Sequence, residues 1–69
     1  ALADETGRVL VADPDAGALF VFSADGTVER AIVPDGAAAF EPTDVERTRA
    51  GSVVVTDGAT RAVLVLKGI

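Results

Sequence analysis

Two aspartates, Asp13 and Asp57, are the first candidates for chemistry in this 69-residue chain, because both end a short apolar run just before a turn. A carboxylate at such a position accepts hydrogen bonds from the backbone N–H groups of the turn. A catalytic carboxylate would also need a neighbour that shifts its pKa or exchanges a proton with it. We therefore predict that Asp13 and Asp57 hold turns and take no part in catalysis.

The composition rules out the most familiar catalytic pairs. The chain has no His and no Cys, so neither a Ser–His nor a Cys–His pair can form within it, and the ordinary ligands of structural zinc are missing. Ser23 and Ser52 lie beside turns, where Ser usually serves the turn itself. The glycines are isolated and form no phosphate-binding loop. We assign no catalytic residue and no cofactor.

One segment has the beginning of a calcium-loop pattern. Asp13 and Asp15 alternate with other residues ahead of Gly17. A complete loop carries a bidentate Glu at its twelfth position, which is Ala24 when counted from Asp13. Asp13 and Asp15 are the metal-site candidates that the sequence offers, and no metal is assigned to them.

The charge balance narrows the class of partner. The net charge is −5, which argues against nucleic acid and against an anionic membrane surface, since both are bound through Lys and Arg. The apolar runs are too short to cross a bilayer. Arg is enriched at binding hot spots, so Arg47, Arg49 and Arg61 are the candidates for binding a protein ligand. The cellular compartment stays open.

The chain repeats itself. Residues 7–13 return 44 residues later as residues 51–57, and the match continues without a gap to residue 22. The second copy keeps the Gly, Val, Asp and Ala positions and replaces Leu and Phe by Val and Leu. A period in the forties with β-type content is typical of a propeller blade or a similar stacked array.

The apolar runs and turn residues predict seven strands. Gly, Asp-Pro and Asp-Gly punctuate the runs, and Asp25-Gly26 between two of them is a strong hairpin signal. The runs at residues 9–12 and 18–22 are typical of strands buried on both faces. Phe40, in a connector at residues 37–41, is expected to plug into the neighbouring core. The predicted strands are residues 1–4, 9–12, 18–22, 27–33, 43–47, 52–56 and 62–66.

These strands predict an all-β fold of antiparallel four-stranded propeller blades. Residues 1–36 form the first, complete blade, and residues 37–69 form a second blade that lacks its outer strand. A core built mainly from Val, Leu and Ala gives marginal stability at this size. We therefore expect the chain to be a piece of a longer repeat protein or a subunit of an assembly.

The order of the motifs carries a family resemblance. The second copy runs Pro42, Val45, Gly51, then the run at residues 53–57 that ends in Asp, then the run at residues 61–65. The first copy supplies the same elements and adds Asp25-Gly26 before the last strand. This order resembles the NHL-type six-bladed β-propeller repeat and the related lactonase-like propellers, over essentially the whole chain.

The repeat pattern, the absence of reactive groups, the resemblance and the number of blades leave three functions open. In the first, the chain is a non-catalytic propeller segment that acts as a binding and assembly scaffold, and the residues favour a chain that is not an enzyme on its own. In the second, it is a fragment of a propeller hydrolase or lyase whose active-site residues lie in other blades. In the third, it is a self-assembling fragment or design, in which four copies of roughly one and a half blades close a six-bladed ring. The expected partners are further blades of the same parent chain or identical subunits, together with a protein ligand.

Overall fold

The chain forms two antiparallel β-sheets in a computed structural model that describes residues 1–34 and 39–69. The first sheet has the strand order β1-β2-β3-β4 and the second has the order β5-β6-β7. The described residues contain no helix, and the all-β prediction is confirmed. The strands are β1 (Leu2–Ala3), β2 (Val9–Asp13), β3 (Ala18–Phe22), β4 (Val28–Ile32), β5 (Pro42–Arg47), β6 (Val53–Asp57) and β7 (Ala62–Leu66).

All seven predicted strands are present, and their ends lie within one residue of the predicted ends. β4 is exposed along most of its length, as predicted for an outer strand that water reaches. The predicted boundary between residues 36 and 37 lies outside the described residues. So do most of the turn predicted at residues 34–36 and the first part of the connector predicted at residues 37–41.

Three of the hairpin turns share one backbone geometry. In the turns that begin at Asp4, Ser23 and Thr48, the first residue donates its N–H to the carbonyl four residues on, over 2.8–2.9 Å. The fourth residue of each turn is a Gly with φ of 89° or 90°, and its N–H bonds back to the carbonyl of the first residue. This left-handed conformation is open to Gly at no steric cost. The glycine spacing in the sequence therefore fixes these turns.

The β2–β3 and β6–β7 turns are of a second kind, and they show one difference between the repeats. Gly17 takes a left-handed φ of 67° in the first, whereas Arg61 takes a φ of 58° at the equivalent position of the second. A side chain in this region is disfavoured, because its Cβ crowds the carbonyl oxygen. The second repeat therefore holds an Arg where the backbone favours Gly.

The hydrophobic core lies between the two sheets. Leu10, Leu19 and Val21 of the first sheet are buried against Val53 and Val55 of the second. The backbones come closest where β5 lies against β1 and β2. The buried Phe40 belongs to the same cluster, so its predicted core role is confirmed.

The repeat relates two types of sheet face. Strand pairing places Leu10 beside Val21 and Leu19 beside Ala12, so these residues share what we name the Leu19-type face of the first sheet. The 44-residue offset maps that face onto the part of the second sheet formed by Val54, Thr56, Val63 and Val65.

The opposite side of each strand forms the second type of face, which we name the Phe20-type face. In the first sheet it consists of Val9, Val11, Phe20 and Phe22. Its repeat equivalents in the second sheet are Val53, Val55, Leu64 and Leu66.

The core therefore joins unlike faces. The Leu19-type face of the first sheet packs on the Phe20-type face of the second. The remaining two faces point outward, so equivalent residues differ in burial: Leu19 is 0% exposed and Val63 is 63% exposed, while Val21 is 4% exposed and Val65 is 57% exposed. The two sheets therefore pack head to tail, which means that the same type of face points in the same direction in both sheets.

This arrangement corrects the prediction that β2 and β3 are buried on both faces. Their Leu19-type face is buried, but Val9, Val11, Phe20 and Phe22 on the other face are only half-buried. The difference arises because a sheet face becomes buried only where a second layer packs on it. In the described residues, the second sheet covers one of the two faces of the first.

Candidate functional site

Asp57 is the most constrained polar side chain at the end of the second sheet. It is 3% exposed at the end of β6. Its Oδ1 accepts hydrogen bonds from the backbone N–H groups of Glu41 and Ala59, each over 3.0 Å, and its Oδ2 accepts one from Thr60 Oγ1 over 3.1 Å. These bonds, led by the one from Glu41, lower the pKa of Asp57. The carboxylate therefore holds its own turn and also ties the segment before β5 to β6.

Asp13 makes a smaller set of contacts at the equivalent place. Its Oδ1 accepts one hydrogen bond from the N–H of Ala16 over 3.0 Å, and its backbone carbonyl accepts one from the N–H of Gly17. Both residues have the turn-holding role that the sequence predicts. Only Asp57 also joins segments distant in the chain, and the sequence did not reveal that contact.

Asp4 and Asp25 hold two of the glycine turns in a similar way. Asp4 Oδ1 accepts hydrogen bonds from the Oγ1 and N–H of Thr6 and from the N–H of Arg8. Asp25 accepts them from Ser23 Oγ and from the Oγ1 and N–H of Thr27. The hydroxyl bonds, from Thr6 and from Ser23 respectively, are the main reason that the pKa of Asp4 is lowered and that of Asp25 falls to about 2.

Because of these carboxylates, we expect the stability of the fold to fall in acid. A carboxyl whose pKa is lower when folded than when unfolded stabilises the fold above its unfolded pKa of about 3.9, and the stabilisation is lost as the pH falls through the folded pKa. We expect the melting temperature, followed by circular dichroism, to fall between about pH 4 and pH 2. Asp25→Asn should lower the melting temperature near pH 6 and change it much less near pH 2. An equal effect of this substitution at both pH values would contradict the assignment.

The three arginines that the sequence proposes for binding are not brought together. Arg47 and Arg49 lie at the β5–β6 end of the second sheet, whereas Arg61 lies in the β6–β7 turn at the other end. Arg47 is half-buried, and its Nη1 donates hydrogen bonds to the carbonyls of Gly51 and Ile69 over 3.0 and 3.1 Å. Arg49 and Arg61 are exposed. Arg47 thus ties the end of the chain to the turn after β5, and the three residues do not form one shared binding site.

The calcium-loop candidates also lack the arrangement that a metal needs. Asp13 directs Oδ1 at its own turn, and Asp15 is exposed. Across residues 1–34 and 39–69, no three acidic, His or Cys side chains gather closely enough to hold a metal ion.

An open cleft of about 490 Å³ lies between the β1–β2 and β5–β6 turns, and Asp4, Arg8, Arg47 and Ile69 line part of it. Three of its charged groups, Asp4, Arg8 and Arg47, have partners within the chain. Arg8 Nε lies 3.0 Å from Oε2 of Glu29, Arg47 donates to backbone carbonyls, and Asp4 accepts from its own turn. The cleft is therefore built from structural contacts, and it offers no paired nucleophile and base.

The outward-facing sheet surfaces are what the sequence analysis missed. Val63 and Val65 form an exposed apolar strip on β7, and the half-buried Val54 on β6 lies beside Val65. On the outward face of the first sheet, the ring centroids of Phe20 and Phe22 lie 6.4 Å apart, and the two ring planes are inclined at 59°. The repeat offset relates the exposed Val63 and Val65 to the buried Leu19 and Val21, and the sequence alone does not mark this difference in burial.

The chain matches no protein-family model, no curated protein and no solved structure. The geometry is therefore the basis for any assignment of function. Nothing in the described part of the chain forms a helix long and apolar enough to span a membrane. The polar groups of this region serve turns, and Val63 and Val65 are among the exposed large hydrophobic residues.

Proposed function

We propose that this chain is a non-catalytic repeat segment of the β-propeller type, NHL-like in pattern, that acts as a binding and assembly scaffold. The observation that carries the proposal is the head-to-tail packing of two sheets related by the sequence repeat. In repeat proteins each unit contacts only its neighbours, and the same interface recurs from unit to unit. A chain with two units and two uncovered faces fits a segment that is extended by further units.

The approach of the sheets supports the propeller type. The backbones are closest at β5, β1 and β2, which are the first strands of their sheets or lie next to one. Sheets that meet closely at their first strands are suited to radial packing around an axis, as in propellers. The strand order within each sheet is a plain meander, as a propeller blade requires.

The polar groups support a scaffold role over a catalytic one. The carboxylates with a lowered pKa, Asp4, Asp25 and Asp57, all accept hydrogen bonds from turn or connector groups. A candidate general base would instead have a pKa close to the working pH, and a proton to remove within reach. The interactions of these residues explain turn geometry without any reaction.

The test is to lengthen the array by one unit. Inserting a second copy of residues 23–66 after Leu66 adds one full repeat period and keeps the order of strands and turns. We expect the extended chain to unfold cooperatively at a higher urea concentration, because each added unit contributes one more interface. A matched control carries the same inserted residues in scrambled order. An insert that melts separately, or that leaves the urea midpoint unchanged, would contradict the scaffold proposal.

A further inference from the structure

We infer that a second copy of this chain docks head to tail on the outward face of the second sheet, using its own Phe20-type face. This inference rests on the proposed scaffold function and names its partner and its two surfaces. The first surface is the Leu19-type face of the second sheet, with Val54, Val63 and Val65. The second surface is the Phe20-type face of the first sheet, with Val9, Val11, Phe20 and Phe22.

The proposed contact continues the interface inside the chain. That interface already joins a Leu19-type face to a Phe20-type face through residues at fixed repeat positions. The uncovered faces are one of each type, and the 44-residue offset relates them to the two buried faces. A second copy of the chain presents a Phe20-type face with the same strand backbone as the Phe20-type face that is buried inside the chain. The docking thus repeats, on β6 and β7, the packing that β2 and β3 make inside the chain, while Glu46 stands at the repeat position of Leu2.

The two outward faces differ from the buried faces by opposite changes in side-chain size. Inside the chain, the Leu19-type face is bulky, with Leu10 and Leu19, and it packs on a face that carries Leu64 and Leu66. On the uncovered Leu19-type face both leucines are replaced by the smaller Val54 and Val63.

The uncovered Phe20-type face changes in the opposite direction. The leucines of the buried face are replaced there by the larger Phe20 and Phe22. Facing layers interdigitate when large residues oppose small ones. The loss of volume on one open face is therefore matched by a gain on the other. This relation is expected if the two faces pack on each other.

The apolar surface of the second sheet's outward face is confined to part of that face. On the second sheet the exposed valines are on β7, whereas the same face of β5 carries the exposed acids Asp44 and Glu46. The acids limit the apolar contact to β6 and β7. This limits the positions at which a second copy can dock.

Unlike faces on one chain make a heterologous contact, which closes into a ring or continues as a filament. Since every chain contributes two sheets, a ring of four to eight sheets takes two to four copies, and three copies supply six sheets. Closure also covers both apolar faces of every copy.

The experiment uses one variant for each face. Val63→Glu places a charge on the outward face of the second sheet, and Phe20→Lys places one on the outward face of the first. Neither residue belongs to the core cluster, so the monomer fold is retained and is checked by circular dichroism. Ala50→Glu, at an exposed turn of the second sheet, is the matched charge control.

Analytical ultracentrifugation over a range of concentrations provides the readout. Wild type and Ala50→Glu should self-associate, and each face variant should raise the dissociation constant by at least about 100-fold, since its charge would be buried without a partner. An equimolar mixture of Val63→Glu and Phe20→Lys should form one-to-one dimers, because each retains the face that the other lacks. Dimers of Phe20→Lys alone would show a like-face contact and would overturn the inference.

The outcome also separates this inference from the scaffold proposal. A wild type that stays monomeric at all concentrations overturns docking by a second copy. In that case, a stabilised chain with the duplicated repeat would still support a scaffold whose next unit is another repeat.

Discussion

Leu19→Ala is expected to lower the free energy of unfolding by about 2–5 kcal/mol, the usual cost of removing a buried leucine side chain and leaving a cavity. Leu19 is 0% exposed and lies in the central cluster between the sheets. A chain of this size has a total stability of roughly 3–10 kcal/mol. The substitution should therefore remove a large fraction of the total stability. Urea denaturation followed by circular dichroism measures the effect.

Val63→Ala is the matched control, because Val63 occupies the equivalent repeat position and is 63% exposed. In dilute solution it should change the free energy of unfolding by about 0.5 kcal/mol or less, as surface substitutions usually do. The contrast tests the head-to-tail arrangement itself. Equal losses at both positions would show that the second sheet buries the same face as the first, which the described packing does not allow.

Asp57→Ala should have the second large effect on stability. It removes the acceptor for the backbone N–H groups of Glu41 and Ala59 and for the hydroxyl of Thr60. Hydrogen bonds to a charged group contribute more than neutral ones, and three are lost here, so we expect the melting temperature to drop by on the order of 10 °C. Differential scanning calorimetry measures the drop, and hydrogen exchange should show faster exchange at the amide of Glu41.

Asp13→Ala is the internal control for Asp57→Ala, since Asp13 occupies the same repeat position and accepts a single side-chain hydrogen bond, from Ala16. Its effect on the melting temperature should be clearly smaller. If the two variants lost the same stability, the hydrogen bond from the N–H of Glu41 to Asp57 would contribute nothing measurable to the stability of the fold.

The strands were predictable because their signals are local. Each of the glycines at positions 7, 26 and 51 sits where the turn needs a left-handed residue, and the apolar runs between turns have the length of strands. The position of Phe40 in the core followed from a large aromatic residue in an otherwise small-residue connector. These parts depend on neighbours in sequence, which a single chain displays directly.

The sidedness of the sheets was not predictable from the runs themselves. The runs in β3 and β7 are continuously apolar, so they carry no alternation that marks an inner face. The partners of Asp57 and Arg47 were also hidden, since Glu41 and Ile69 are brought to them by the pairing of strands. Burial and long-range contacts are decided when sheets stack, a step to which local propensity contributes little.

The opposite size changes in the two repeats have a consequence for design and for sequence comparison. An array that continues this packing repeats every two sheets. A sheet with leucine and phenylalanine on its faces alternates with a sheet that has valine and leucine. Averaging the two into one consensus repeat would oppose medium side chains everywhere and remove the alternation. A consensus version should therefore pack less well than strict alternation, although every one of its residues is drawn from the parent chain.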